Sequence, residues 1–305
     1  MMNEEIKKLV AEIATVIHGK NDVIRMAVVC LAAGGHLLIQ DVPGVGKTTL
    51  AFALARATRC SFRRIQFTSD LLPSDILGTQ IFNRKSGDFE FRKGPVFANI
   101  VLADEINRTN PKTQSALLEA MNEKRVSQEG LTLKLPKPFM LVATQNPVEY
   151  HGTFPLPESQ LDRFMMSLTI GYPEPADEKR VLTSNSGIPR AEEIEPVLTT
   201  EELVNIQRTV QSVRADDVLV DYLLEIVDAS RHHEAVRLGA STRGAMFLLA
   251  AARANAHCSG RDYLVPDDIQ SMVSPVLAHR IILRPGSGSA AGILRDILGR
   301  IPVPL

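Results

Sequence analysis

Apolar positions recur along this chain first at helical spacing and then in short runs. Ile6, Leu9, Val10, Ile13 and Ile17 recur at the i, i+3, i+4, i+7 spacing of one helical face, which predicts an amphipathic helix leading into His18-Gly19-Lys20, and a second helix is expected over 22–33. Strand-like runs at 37–40, 62–67, 99–103, 139–144 and 165–170 follow, with helical or turn-rich stretches between them. Strands alternating with helices predict an α/β fold, a parallel sheet covered on both faces.

Two stretches break that rhythm. Segments 80–83 and 89–92 flank Ser86-Gly87-Asp88, and segments 125–128 and 131–134 flank Glu129-Gly130; both read as short hairpins projecting from the sheet. After Gly171-Tyr-Pro-Glu174 the strand signals stop, and Ser186-Gly-Ile-Pro189 marks a break. The remainder reads as helices: 200–213, then 217–233 with Leu219, Val220, Leu223, Leu224 and Val227 on one face, then one capped by Ser241 and one opening at Pro266. The expected division is an α/β core over 1–186 and a small all-α lid over 187–305. A Gly286-Ser-Gly-Ser289 link precedes Ile293, Leu294, Ile297, Leu298 and Ile301, a helix that either packs back on the lid or docks a partner.

A length of 305 residues at 45% hydrophobic content allows a substantial core and two domains. The formal charge of −1 lacks the basic footprint of a duplex-binding surface, so nucleic acid is not an expected partner. Cys30, Cys60 and Cys258 are odd in number, far apart and without a C-x-x-C pair, which argues against a disulfide framework or zinc knuckle and fits a reducing compartment. The N-terminal segment has no signal-peptide core and no run approaches about 18 apolar residues, so no membrane span and a cytoplasmic location are expected.

The chemistry begins at Asp41-Val42-Pro43-Gly44-Val45-Gly46-Lys47-Thr48-Thr49, between a predicted strand and a helix-favouring run. Glycines there let backbone N–H groups face phosphate oxygens, and the following helix N-terminus adds partial positive charge. Lys47 would reach the β and γ phosphates and the Thr48 hydroxyl would hold Mg²⁺, so ATP and Mg²⁺ are the expected ligands. The general pattern has glycine where this chain has Asp41.

A second segment, Asn99-Ile-Val-Leu-Ala-Asp104-Glu105, delivers two adjacent carboxylates at a strand's C-terminal end, where α/β sheets bind their ligands. Asp104 would approach the Mg²⁺ shell, and Glu105 would accept a proton from attacking water. A third, Leu141-Val-Ala-Thr-Gln-Asn146-Pro147, ends in an amide that either sits between the γ phosphate and that water or simply makes an Asn-Pro turn.

With these segments in view, the chain resembles the AAA+ ATPases and, within them, the MoxR family. The resemblance is carried by Asp41–Thr48, Leu102-Ala-Asp-Glu-Ile-Asn-Arg108, Ala143-Thr-Gln-Asn-Pro147, Leu161-Asp-Arg-Phe164 and Gly239-Ala-Ser-Thr-Arg243. The family commonly accepts an acidic residue at the place of Asp41. The resemblance implies that Arg163 is an arginine finger reaching the ATP of a neighbouring subunit; the plain alternative is a surface ion pair with Asp162 or Glu158. It also implies that Arg243 is the second sensor, acting in cis or in trans. A homo-oligomer, by resemblance a hexameric ring, follows from a finger in trans.

Insertions of the kind found in the family correspond to about 72–94 and 124–134. Phe82, Phe89 and Phe91 would contact a client or the ring pore, or else pack across strands. The implied function is chaperone-like remodelling, maturation or metal insertion of a partner, often one with a von Willebrand factor A domain. Rival readings are the ATPase subunit of a metal chelatase, a DNA motor or clamp loader, and a nucleotide switch without useful catalysis.

Overall fold

The computed structural model describes residues 3–85, 87–128, 130–147, 152–183 and 191–304. Its strands are β1 (Leu37–Gln40), β2 (Phe62–Gln66), β3 (Gly78–Asn83), β4 (Asp88–Lys93), β5 (Ile100–Asp104), β6 (Arg125–Gln128), β7 (Leu131–Lys134), β8 (Met140–Gln145), β9 (Met166–Leu168), β10 (Val236–Leu238) and β11 (Ile282–Leu283). The helices used below are α1 (Glu4–Ala14), α2 (Asn21–Ala32), α3 (Lys47–Ala57), α4 (Pro73–Leu77), α5 (Pro111–Glu123), α6 (Glu158–Leu161), α7 (Pro175–Thr183), α8 (Thr200–Gln211), α9 (Asp217–His232), α10 (Thr242–Cys258), α11 (Pro266–Leu277) and α12 (Ala290–Arg300).

Five parallel strands form the central sheet in the order β2-β5-β8-β1-β9. Successive side chains of a strand point to opposite faces, so one apolar strand feeds two cores. Ile100 and Leu102 of β5 join Met140 and Val142 of β8 under α1, α2 and α3. Val101 and Ala103 join Leu141 and Ala143 on the other face, against Leu117, Leu118 and Met121 of α5. This is why these strands read as continuous apolar runs rather than alternating ones.

Both predicted hairpins are present as β3–β4 and β6–β7, each a two-stranded antiparallel ladder. The turn residues Ser86 and Glu129 lie outside the described residues, as do the break at 186–189 and the proposed domain boundary between 186 and 187. In the first hairpin Phe91 packs edge-on against Phe97 at 6.3 Å between ring centroids, while Phe82 and Phe89 pair with each other at 5.3 Å and remain exposed. The aromatic anchor and the presented aromatics are thus different residues.

The first lid helices form as the periodicity predicts, and Ser241 caps α10 by accepting from the Gly244 N–H. The lid is helical as expected, with one short ladder added, β10 paired antiparallel with β11; strands of three and two residues are too short to leave a period in the sequence. One expectation needs correction. On α9 Leu224 faces outward, and Tyr222 and Ile226 are buried instead. The apolar cluster beneath α1–α3 continues into α8–α11. Leu294 and Ile297 of α12 are buried in it too, the packed-back reading of that segment. All three cysteines are free and buried, and among the described residues no helix is long and apolar enough to cross a membrane.

Candidate active site

Strand β1 ends at Gln40, and the chain turns through the glycine loop into α3, whose first residue is Lys47. Gly44 (φ 83°) and Gly46 (φ 94°) both occupy the left-handed region, where a side chain would be strained. The Lys47 Nζ donates to the Asp41 carbonyl at 2.6 Å, folding the lysine back over the loop.

Asp41 does not face into the loop. Its buried carboxylate accepts from the N–H groups of Ile170 (2.6 Å) and Gly171 (2.7 Å) just beyond β9, and from the Val42 N–H (2.8 Å). Three donors satisfy the buried charge and tie the loop to the sheet's far strand. A glycine here would leave those N–H groups without that partner, which is a physical reason for the departure from the general pattern.

Parallel register brings the end of β5 beside the loop. Asp104 and Glu105 share a cavity of about 330 Å³ with Pro43, Gly44, Gly46, Lys47, Thr48, Thr49 and Arg64. Asp104 is buried; its Oδ1 accepts from the Thr144 hydroxyl at 2.7 Å and its Oδ2 from Arg64 at 2.6 Å. The same Thr144 hydroxyl oxygen accepts from the Glu105 N–H at 2.8 Å, so one side chain on β8 holds both acids. Glu105 itself is left-handed (φ 57°, ψ 50°), a conformation costing about 1–2 kcal/mol in a residue other than glycine. Its Oε2 accepts from Gln66 at 3.0 Å and pairs with Arg108 at 3.2 Å.

Oxygen donors of this kind suit Mg²⁺, which is commonly held by one or two protein groups plus substrate phosphates. Thr48 and Asp104 line one cavity and supply a hydroxyl and a carboxylate. No cluster of three or more His, Cys, Asp or Glu that could hold a metal by itself occurs among the described residues. The left-handed glycines and the hard oxygen donors together fit Mg-nucleotide.

A second cavity of about 230 Å³ shares Gly44, Gly46 and Thr49 with the first and is lined further by Val16, Ile17, His18, Gly171, Pro173 and Val181. Its apolar walls suit a nucleobase beside the phosphate cradle. Sequence reasoning assigned these residues no such role, because they come from the ends of α1, β9 and α7. A larger cavity, about 640 Å³, includes Gly34 and Phe139 ahead of β1 and β8, at the end of the strands opposite the glycine loop.

The other candidates stand apart. Asn146 is buried one residue beyond β8, at the same sheet edge as Asp41 and Glu105. Arg163 and Arg243 are not among the residues lining the phosphate cavity. Arg163 donates to the Leu118 carbonyl at 3.0 Å and borders a cavity with Ser115, Glu119, Asn122 and Gln160. Arg243 lies 3.5 Å from Asp162. The Asp162 carboxylate is taken by Arg280 (3.0 Å) and Ser241 (2.9 Å) as well, so the ion pair that adjacency suggested for Arg163 gives way to lid contacts.

Comparison with known proteins bears on this arrangement. Residues 36–166 match the ATPase family associated with various cellular activities (AAA), and residues 228–297 match the AAA lid domain. Chaperone MoxR1 of Mycobacterium tuberculosis is 39% identical over 91% of this chain and 76% of its own length. The chain belongs to the MoxR family of AAA+ ATPases. YeaC of Bacillus subtilis is 49% identical over 98% of this chain and 94% of its own. A crystal structure of a candidate ATPase from Cytophaga hutchinsonii superposes with a TM-score of 0.90 at 38% identity, covering 99% of this chain and 95% of that one. In this MoxR chain the glycine loop, both acids, Asn146 and Arg163 fall inside the matched AAA region, and Arg243 falls inside the matched lid.

Proposed function

We propose that this MoxR-family protein binds ATP with Mg²⁺, hydrolyses it, and uses the cycle to remodel or mature a partner protein. The observation that carries the reading is the convergence of Lys47, Thr48, Asp104 and Glu105 on one cavity framed by left-handed glycines. In this reading Lys47 and the loop N–H groups bind the β and γ phosphates, and Thr48 and Asp104 hold the metal. Bound Mg²⁺ would neutralise charge developing on the phosphate oxygens. Glu105 takes the proton of the attacking water, with Gln66 and Arg108 orienting its carboxylate. Asn146 orients that water.

The remaining part of the proposal concerns assembly. Arg163 borders a different cavity from its own phosphate site, which fits a finger that serves a neighbouring copy and hence a ring, by family resemblance a hexamer in the cytoplasm. Arg243 is the second sensor, in cis or in trans. The exposed Phe82 and Phe89 pair fits a client-facing hairpin. A partner with a von Willebrand factor A domain belongs to the same proposal, as does the chelatase-like alternative.

Glu105→Gln should keep ATP affinity while abolishing turnover, and Arg163→Ala should do the same through the neighbour's site, with a loss of about 10³ to 10⁵. Calorimetric ATP binding and phosphate release, with sizing in Mg-ATP, test this. Wild-type turnover by either variant, or full turnover by a strict monomer, removes the proposal.

A further inference from the structure

Arg280 closes the short 3₁₀ turn Ala278–Arg280 after α11, and its side chain is almost wholly buried. Its Nε donates to Asp162 Oδ1 at 3.0 Å, and one Nη donates to the Asp162 carbonyl at 3.2 Å and to the Phe164 carbonyl. The other Nη donates to the Met165 carbonyl at 3.3 Å and to the Val276 carbonyl. A single lid guanidinium therefore grips the residues on both sides of Arg163. The Phe247 ring lies 5.2 Å from the guanidinium carbon, and a side chain at Gly244 would come within 3.1 Å of its Cδ. Two more lid residues, Ser241 and Arg243, reach the same Asp162 carboxylate. Burial lowers the Arg280 pKa to about 10, with Asp162 opposing the shift, so the group stays charged near neutrality.

We propose that Arg280 is the positioning residue for Arg163: it couples the lid of each subunit to the finger that the same subunit presents to its neighbour. The inference rests on the reading of Arg163 as a finger. Arg280 contributes to no nucleotide cavity of its own chain, and its contacts run to the backbone that sets where Arg163 points. Each acceptor that a buried cation leaves behind is desolvated without a partner, so displacing the guanidinium carries a penalty at every one of its contacts. A lid displaced by its own nucleotide would then move the finger loop with it. Lysine cannot replace the fork, since an ammonium is a point charge that cannot span a carboxylate and carbonyls in one plane.

The test uses the full-length protein with Arg280→Lys and Asp162→Asn, the second keeping the guanidinium and all its carbonyl contacts. Each variant should lower turnover at saturating ATP by about 10²-fold, the scale of a misplaced catalytic group, with ATP affinity unchanged. Adding excess Glu105→Gln subunits, which have intact fingers and inactive sites, should restore turnover at the variant's sites. Adding Arg163→Ala subunits should not. Arg163→Ala rescued by Glu105→Gln is the control for a finger in trans. If that control fails, or if Arg163→Ala alone is fully active, the finger reading falls and this proposal with it. If the control is rescued but Arg280→Lys and Asp162→Asn are not, or if their ATP affinity falls in step with turnover, the positioning role alone is overturned. Should Arg280→Lys fail to fold, Asp162→Asn decides by the same assays.

Discussion

Arg64 donates to Asp104 across 2.6 Å, from neighbouring parallel strands whose register sets Arg64 against Leu102 and Gln66 against Asp104. The guanidinium occupies an oxygen of the carboxylate proposed to hold the metal. Two cations then share one acceptor, and removing one should favour the other. Arg64→Met is expected to lower the Mg²⁺ concentration for half-maximal turnover by about 2- to 5-fold, equivalent to the ~0.5–1 kcal/mol of a partly exposed ion pair. A Mg²⁺ titration at fixed ATP checks it, and an increase would show that Arg64 supports the metal site instead.

Thr144 is the common partner of both acids, accepting from the Glu105 N–H and donating to Asp104. Thr144→Val keeps the volume and deletes the hydroxyl, leaving a strained backbone N–H and a buried carboxylate oxygen unsatisfied. The expected cost is about 1–3 kcal/mol in urea unfolding, with reduced turnover. Thr144→Ser should recover most of both, and equal stability of all three proteins would contradict this role.

Asp41→Gly would restore the general glycine-loop pattern and should nevertheless harm the protein. It removes an acceptor from the Ile170 and Gly171 N–H groups and frees the loop's backbone. A loss of about 2–3 kcal/mol is expected, the scale of hydrogen bonds to a charged acceptor, together with weaker ATP binding. Differential scanning calorimetry with and without nucleotide measures both; an unchanged melting temperature would remove the anchoring role.

His36 and His279 are buried and each is lowered from 6.5 to about 3, first by burial and then by repulsion from Lys124 and Arg280 respectively. Because the folded values lie below the unfolded one, unfolding takes up protons in acid. Their contribution is therefore intact above about pH 6.5 and declines as pH falls toward 3, by up to ~1.4 kcal/mol per pH unit for each group. His36 Nδ1 accepts from the Leu141 N–H at 3.0 Å, a bond that an asparagine oxygen can replace. His36→Asn should lose about 1 kcal/mol less stability than the parent between pH 7.5 and 5.5 in urea titrations. Parallel losses would exclude His36 from the acid response.

Much of this was legible before the fold. The β1 strand, the glycine loop and the two hairpins appear where apolar runs and glycine turns put them. The Ser241 cap is equally local. Leu224 falls on the exposed side because a helical face is chosen by the neighbour it packs on, and spacing alone allows two adjoining faces. The β10–β11 ladder went unseen because neither strand is long enough to alternate.

The sequence by itself determined the order of elements, the loop that can cradle phosphate and the pair of acids ending a buried strand, since propensity, periodicity and turn chemistry act over a few residues. Tertiary structure alone decided that Asp41 serves Ile170 and Gly171, that Thr144 governs both acids, and that Arg280 rather than Arg163 partners Asp162. Those partners lie 39 to 130 residues apart along the chain. Which buried polar groups meet depends on strand register and on how the lid packs, and no spacing along the chain records either.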